Sequence, residues 1–176
     1  MAQEDDQAVR QEVERRLQEI QLLEQEAKDQ GRRSRFLREE ELARKVRGES
    51  SASPYIFGAA WYSPVPLGGS AGVRVYVANS DPTSFSYLLV TLFFDGVSNF
   101  LSDIGLGPAG RNLEWPYSST PPFSLASGST SAQSFPYNIP TGIMLGTYIG
   151  NVILWAGFYF GTGTYLDRFF FDVTVT

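Results

Sequence analysis

Charge divides this chain in two. Residues 1–50 carry 11 Lys and Arg and 13 Asp and Glu. The remaining 126 residues carry nine charged side chains: Arg74, Arg111, Arg168, Asp81, Asp95, Asp103, Glu114, Asp167 and Asp172. That second stretch has no Lys and holds all but one of the 25 aromatics, Phe36 being the exception. A segment so rich in charge stays largely solvated, and one so poor in charge must bury most of itself or be covered. The partition predicts a polar N-terminal appendage joined to one densely apolar domain of ordinary size.

The appendage reads as helix. From about residue 6 to 30 the sequence is dominated by Gln, Glu, Arg and Leu, all good helix formers. Val9, Val13, Ile20, Leu23 and Ala27 fall at heptad a and d spacing, with Arg16 at the vacant d position. That stripe predicts a coiled-coil-like seam for self-association. Val and Ile at a with Leu at d favour two strands, whereas the flanking Leu17 and Leu22 widen the stripe. Gly31 suits a helix C′ position and Ser34 an N-cap, so a second helix is expected over 35–47, a single bent helix being the alternative. Residues 1–27 carry three Arg against eight acids, and residues 28–47 carry eight basic residues against four acids. Acid early and base late matches the helix macrodipole. The basic run of Arg32, Arg33, Arg35 and Arg38 is followed at once by Glu39–Glu41, so it reads as a solvated face and not a nucleic-acid site.

Residues 48–54, G-E-S-S-A-S-P, form a linker. From Tyr55 the pattern has period two. Val73, Val75 and Val77 alternate with Arg74, Tyr76 and Ala78. Tyr87–Phe94 is apolar on both faces and reads as a central strand, with Asp95-Gly96 as a turn. Asn112–Trp115, Phe123–Ala126 and Ser134–Tyr137 are short strand candidates, Thr147–Phe160 a long one, and Gly161–Gly163 a hairpin turn. In Tyr165–Thr176, Phe169, Phe171, Val173 and Val175 face one way and Phe170, Asp172, Thr174 and Thr176 the other. The expected fold is an N-terminal helical segment (1–47) followed by an all-β antiparallel sandwich (55–176), immunoglobulin-like or jelly roll. The sandwich, taken from residue 53, is expected to fold alone and to be poorly soluble.

Catalytic inventory is sparse. With no Cys and no His, disulfides, thiolate metal sites and the Ser–His relay are excluded. Asp167 and Asp172 lie five apart on one strand and point to opposite faces, which argues against a paired-carboxylate site. The Ser/Thr-rich stretch 118–134 offers no activated nucleophile. The expectation is no enzyme activity, no cofactor and no metal. The start, M-A-Q-E-D-D-Q, lacks a signal-peptide pattern, and no apolar run is long enough to span a bilayer. Synthesis in a cytoplasm is therefore expected. Trp61, Tyr62, Trp115, Tyr117, Phe123 and Tyr137 lie near Pro or in loops and are candidate interface aromatics.

V-R-V-Y-V-A-N-S-D-P followed by L-V-T-L-F-F-D-G, and N-V-I-L-W-A-G-F-Y followed by Y-L-D-R-F-F-F-D-V-T-V, resemble the early strands and closing hairpin of an immunoglobulin-like sandwich. The Cys pair and core Trp of antibody domains are absent, so the resemblance implies architecture only. A helical stalk, a β head and no catalytic set resemble viral structural proteins: a phage fibre, spike or capsid decoration. That resemblance implies a homo-oligomer, a trimer rather than a dimer, incorporated in a virion or other large assembly. The alternative is a carbohydrate- or protein-binding sandwich docked to a larger assembly by its helix.

Overall fold

The computed structural model describes residues 2–48, 54–96, 118–139, 141, 145–157 and 163–176. The first helix, α1 (Ala2–Asp29), ends in a left-handed Gly31 at φ 70°. There the Arg32 N–H reaches the Ala27 carbonyl and the Gly31 N–H the Lys28 carbonyl, the paired closure that releases a chain from a helix. Strand β1 (Arg33–Phe36) and helix α2 (Glu39–Arg47) follow, and Gly48 at φ 74° closes α2.

The sandwich contains β2 (Tyr55–Trp61), β3 (Ser70–Ala78), β4 (Phe85–Gly96), β5 (Ser118–Ser119), β6 (Phe123–Leu125), β7 (Thr130–Asn138), β8 (Gly146–Ala156) and β9 (Thr164–Val175). One sheet has the order β1-β2-β3-β7. The other runs β5-β4-β8-β9, with β6 also on β4. Every ladder between these strands is antiparallel. The chain crosses between sheets from β3 to β4, returns from β6 to β7 and crosses again from β7 to β8, so β2-β3-β7 faces β4-β8-β9. This is the strand distribution of an immunoglobulin-like sandwich. After β2 the chain passes to the second sheet, where Val65 bridges Val175 in parallel and donates its N–H to the Thr174 carbonyl at 2.8 Å.

Between the sheets lie Val73, Val75 and Val77 together with Trp61, Phe94, Tyr137 and Phe171, whose rings stack at 5.1–6.2 Å. The outer face of the first sheet is also apolar. Tyr55, Phe57, Tyr76 and Ala78 are buried there, and Phe36 joins the Phe57 and Tyr76 rings at 6.4 and 5.4 Å. All seven residues of β2 are buried, because β1 covers its edge as the next strand of the sheet and α1 and α2 form a third layer over the outer face.

Three expectations change. Residues 33–36 are strand, not the start of a second helix, because they gain ladder partners from Trp61 to Gly58 and seat Phe36 in the aromatic layer. Helix α2 therefore begins at Glu39 instead of 35, with Glu41 accepting the Arg38 N–H. Asp95-Gly96 is not a turn: β4 continues through Gly96, paired to Ile149 and Tyr148. The strand expected at Asn112–Trp115 lies outside the described residues, as does most of the Gly161–Gly163 turn.

Candidate functional site

The stripe read as a self-association seam is covered by its own chain. Val13, Ile20 and Ala27 are buried in the core shared with the first sheet, and Val9 and Leu23 pack partly against it. An a/d stripe needs an apolar partner surface, and the outer face of a sheet serves as well as another helix. Each fully buried Val or Ile contributes roughly 1.5–3 kcal/mol. Arg16, which the heptad reading treated as a weak point, is 2 % exposed. Its guanidinium bonds Glu12 at 2.6 Å and also Glu19, and lies 5.5 Å from the centre of the Phe57 ring. Burial opposes the charge, but the carboxylates outweigh it and raise the Arg16 pKa above its ordinary value. Polar contacts continue along the helix. Glu12 accepts from Ser80 at 3.4 Å, Glu19 from Thr130 at 2.9 Å and Glu26 from Arg74 at 3.4 Å.

The basic run closes the open side of the sandwich. Arg35 donates to the Phe170 carbonyl at 2.7 and 3.1 Å and sits 4.0 Å over the Phe169 ring. Arg33 faces Asp172 at 3.7 Å, and Arg32 stacks 4.8 Å over Tyr62. An arginine on an edge carbonyl blocks further strand addition. Asp167 and Asp172 face opposite ways. Asp172 is half exposed, whereas Asp167 is buried, salt-bridged to Lys45 at 2.8 Å and accepting the Ile56 N–H at 2.8 Å. Asp167 thus ties α2, β2 and β9 together. Among the described residues no three Asp or Glu side chains converge to hold a metal ion.

The candidate interface aromatics divide. Trp61 and Tyr137, each 2 % exposed, belong to the core between the sheets, and their place near loops in sequence misled. Phe123 packs partly on the same core. Tyr62 is exposed beneath Arg32. Trp115 and Tyr117 lie outside the described residues.

Among the described residues the large apolar side chains left open include Leu22 on α1 and Leu145 ahead of β8, and three more share the outer face of the second sheet. Ile149 on β8 and Phe170 and Tyr165 on β9 are 43 %, 44 % and 50 % exposed. Register places Ile149 beside Asp172 and Phe170 beside Asn151. Trp155 meets Tyr165 edge-on at 6.2 Å and donates its indole N–H to Thr91 at 2.9 Å. Arg168 lies 5.8 Å from the Phe170 ring. The outward parity of Phe170 was readable from alternation; its exposure depended on which sheet face the helices cover. Among the described residues no helix is long and apolar enough to cross a membrane.

No protein-family model matches the chain, and no curated protein matches its sequence. Solved structures do match. The C-terminal domain of wzt is 14 % identical with a TM-score of 0.50, over 82 % of this chain and 78 % of that one. The CARDB domain of a Pyrococcus furiosus protein, solved with di-metal ions, is 17 % identical with a TM-score of 0.43, over 70 % and 85 %. A Bacteroides uniformis beta-glucuronidase is 15 % identical with a TM-score of 0.44, over 66 % of this chain and 12 % of that one. At 14 % identity the first of these likenesses is one of fold alone, over most of both chains.

Proposed function

We propose that this chain is a non-catalytic structural module that associates with a second copy through the outer face of its second sheet. The observation that carries the reading is the exposed apolar group of Ile149, Phe170 and Tyr165 on one face, in a domain with few charges to keep a surface wet. The face is self-complementary. On β9, Arg168 and Asp172 flank Phe170 two residues to either side. Two β9 strands apposed about a two-fold axis at Phe170 bring each Arg168 opposite the other copy's Asp172. Copies whose charge-poor surfaces cover one another are the material of a particle. A viral fibre, spike or capsid-decoration component fits that organisation, with no reaction, cofactor or membrane span required. The second reading is a carbohydrate-binding module, favoured by Trp155 and Tyr165 side by side on the same face.

Sedimentation of the whole chain tests the first reading. Wild type is expected above monomer mass and Phe170→Asp at monomer mass. An unchanged mass in Phe170→Asp overturns it. Glycan binding that Tyr165→Ala abolishes in a monomeric chain establishes the second reading instead.

A further inference from the structure

We infer that the groove between α1 and α2 receives a basic amphipathic helix from a partner protein. The floor of the groove is apolar, formed by the partly buried Val9 and Leu17 of α1 and Ala43 of α2 with the buried Val13 between them, and its volume is about 500 Å³. Val9 to Leu17 spans about 12 Å at 1.5 Å per residue, enough to seat two turns of a helix. A second hollow of about 550 Å³ adjoins it at Val9 and Arg47 and carries Asp5 and Asp6 on its wall. The overhang of α1 points the same way. Residues 3–8 are exposed at every position, and their contact with the rest of the chain includes Asp6 facing Arg47. Helical turns in water are held mainly by packing, and the second hollow lies against these turns.

Charge selects the occupant. Glu14 and Glu39 rim the groove, with Asp5 just beyond, and none of the three forms an ion pair among the described residues. Arg10 also lies at the rim, while Arg47 already faces Asp6 at 3.8 Å. The helix macrodipole explains acids at the starts of α1 and α2. It explains neither Glu14, in mid-helix, nor the apolar floor. With Arg47 paired to Asp6, the rim leaves Glu14, Glu39 and Asp5 against Arg10, and an apolar trough with that excess of acid fits a helix that presents apolar anchors at i, i+3, i+4 and i+7 and Lys or Arg on its flanks.

The test uses the whole chain and fluorescent peptides of about 14 residues. One has leucines at those anchor positions and lysines elsewhere, one has glutamates for the lysines, and one has serines for the leucines. Anisotropy is expected to show saturable binding of the Leu/Lys peptide only, weakened by salt. Glu14→Lys with Glu39→Lys should weaken binding at least tenfold. Glu24→Lys with Asp29→Lys makes the same change in net charge away from the groove and should change binding less than threefold. All four positions are exposed, and circular dichroism verifies the fold of each variant. Equal loss in both double variants overturns the inference, since net charge alone then explains it. So does equal binding of the Leu/Glu or Ser/Lys peptide. Self-association that the Glu14/Glu39 variant abolishes also overturns it, by making a second copy the occupant.

Discussion

Removing residues 1–31 deletes α1 and leaves β1, α2 and the sandwich. The rings of Tyr55, Phe57 and Tyr76 then lose their cover on the outer face of the first sheet. Such rings bury roughly 150–250 Å² each. With about 100 Å² of each beneath the helix, some 300 Å² is newly wetted, which at about 25 cal/mol per Å² is about 7 kcal/mol. Unfolded chains already bury part of that surface, so about 5 kcal/mol is the better figure. Domains hold together by about 5–15 kcal/mol in total. The shortened chain is therefore expected to lose most of its stability and to bind a hydrophobic dye, although every strand is present. This reverses what the sequence suggests, that the β region folds alone. Guanidinium unfolding followed by tryptophan fluorescence measures the difference. A midpoint within 0.3 M of the whole chain, about 1 kcal/mol at the usual slopes, and no dye binding would refute the reasoning.

Gly58 lies beneath Phe36, whose ring would come within 2.1 Å of an added Cβ. Gly58→Ala is expected to displace Phe36 and lower stability by roughly 1–3 kcal/mol, read by thermal unfolding. Burial raises the phenol pKa of Tyr55 and Tyr76 above the ordinary 10.0. Above that pH the unfolded chain sheds phenolic protons that the folded chain retains. Their contribution is thus complete below pH 10 and lost as pH rises through the folded values. Calorimetry should show the thermal midpoint falling above pH about 10, with a shallower fall in Tyr55→Phe/Tyr76→Phe. An unchanged slope in that variant counts against the assignment.

Much of the fold was legible. Gly31 stops the helix where a left-handed residue is needed, and strand alternation separates Phe169, Phe171 and Val173 from Phe170. Two things were not legible. A heptad stripe records that one helix face is apolar, not whether a helix or a sheet lies against it. Val13 and Ile20 therefore suggested a second chain when the partner was Phe57 and its neighbours. A four-residue strand such as Arg33–Phe36 is too short for its period to emerge, and its arginines hid it within a charged helical run. The concentration of aromatics after residue 50 was a true signal with the wrong destination. It marked a second apolar layer, between helix and sheet, more than an exposed interface. The exposed group at Ile149 and Phe170 follows only once the helices are known to occupy the other side.

The bond from Lys45 to Asp167 spans 122 residues, and that from Arg35 to the Phe170 carbonyl spans 135. At about 5–20 residues per second, a ribosome needs roughly 6–25 s to deliver Asp167 after Lys45 has been made. During that interval the charged segment has been made and the strand that anchors it has not. A hydrophobic leader would spend those seconds seeking another surface. This one can wait in water, because it carries 24 charges. The division of charge thus has a meaning in time as well as in space: the part made first is the part that tolerates solvent until the last strand arrives.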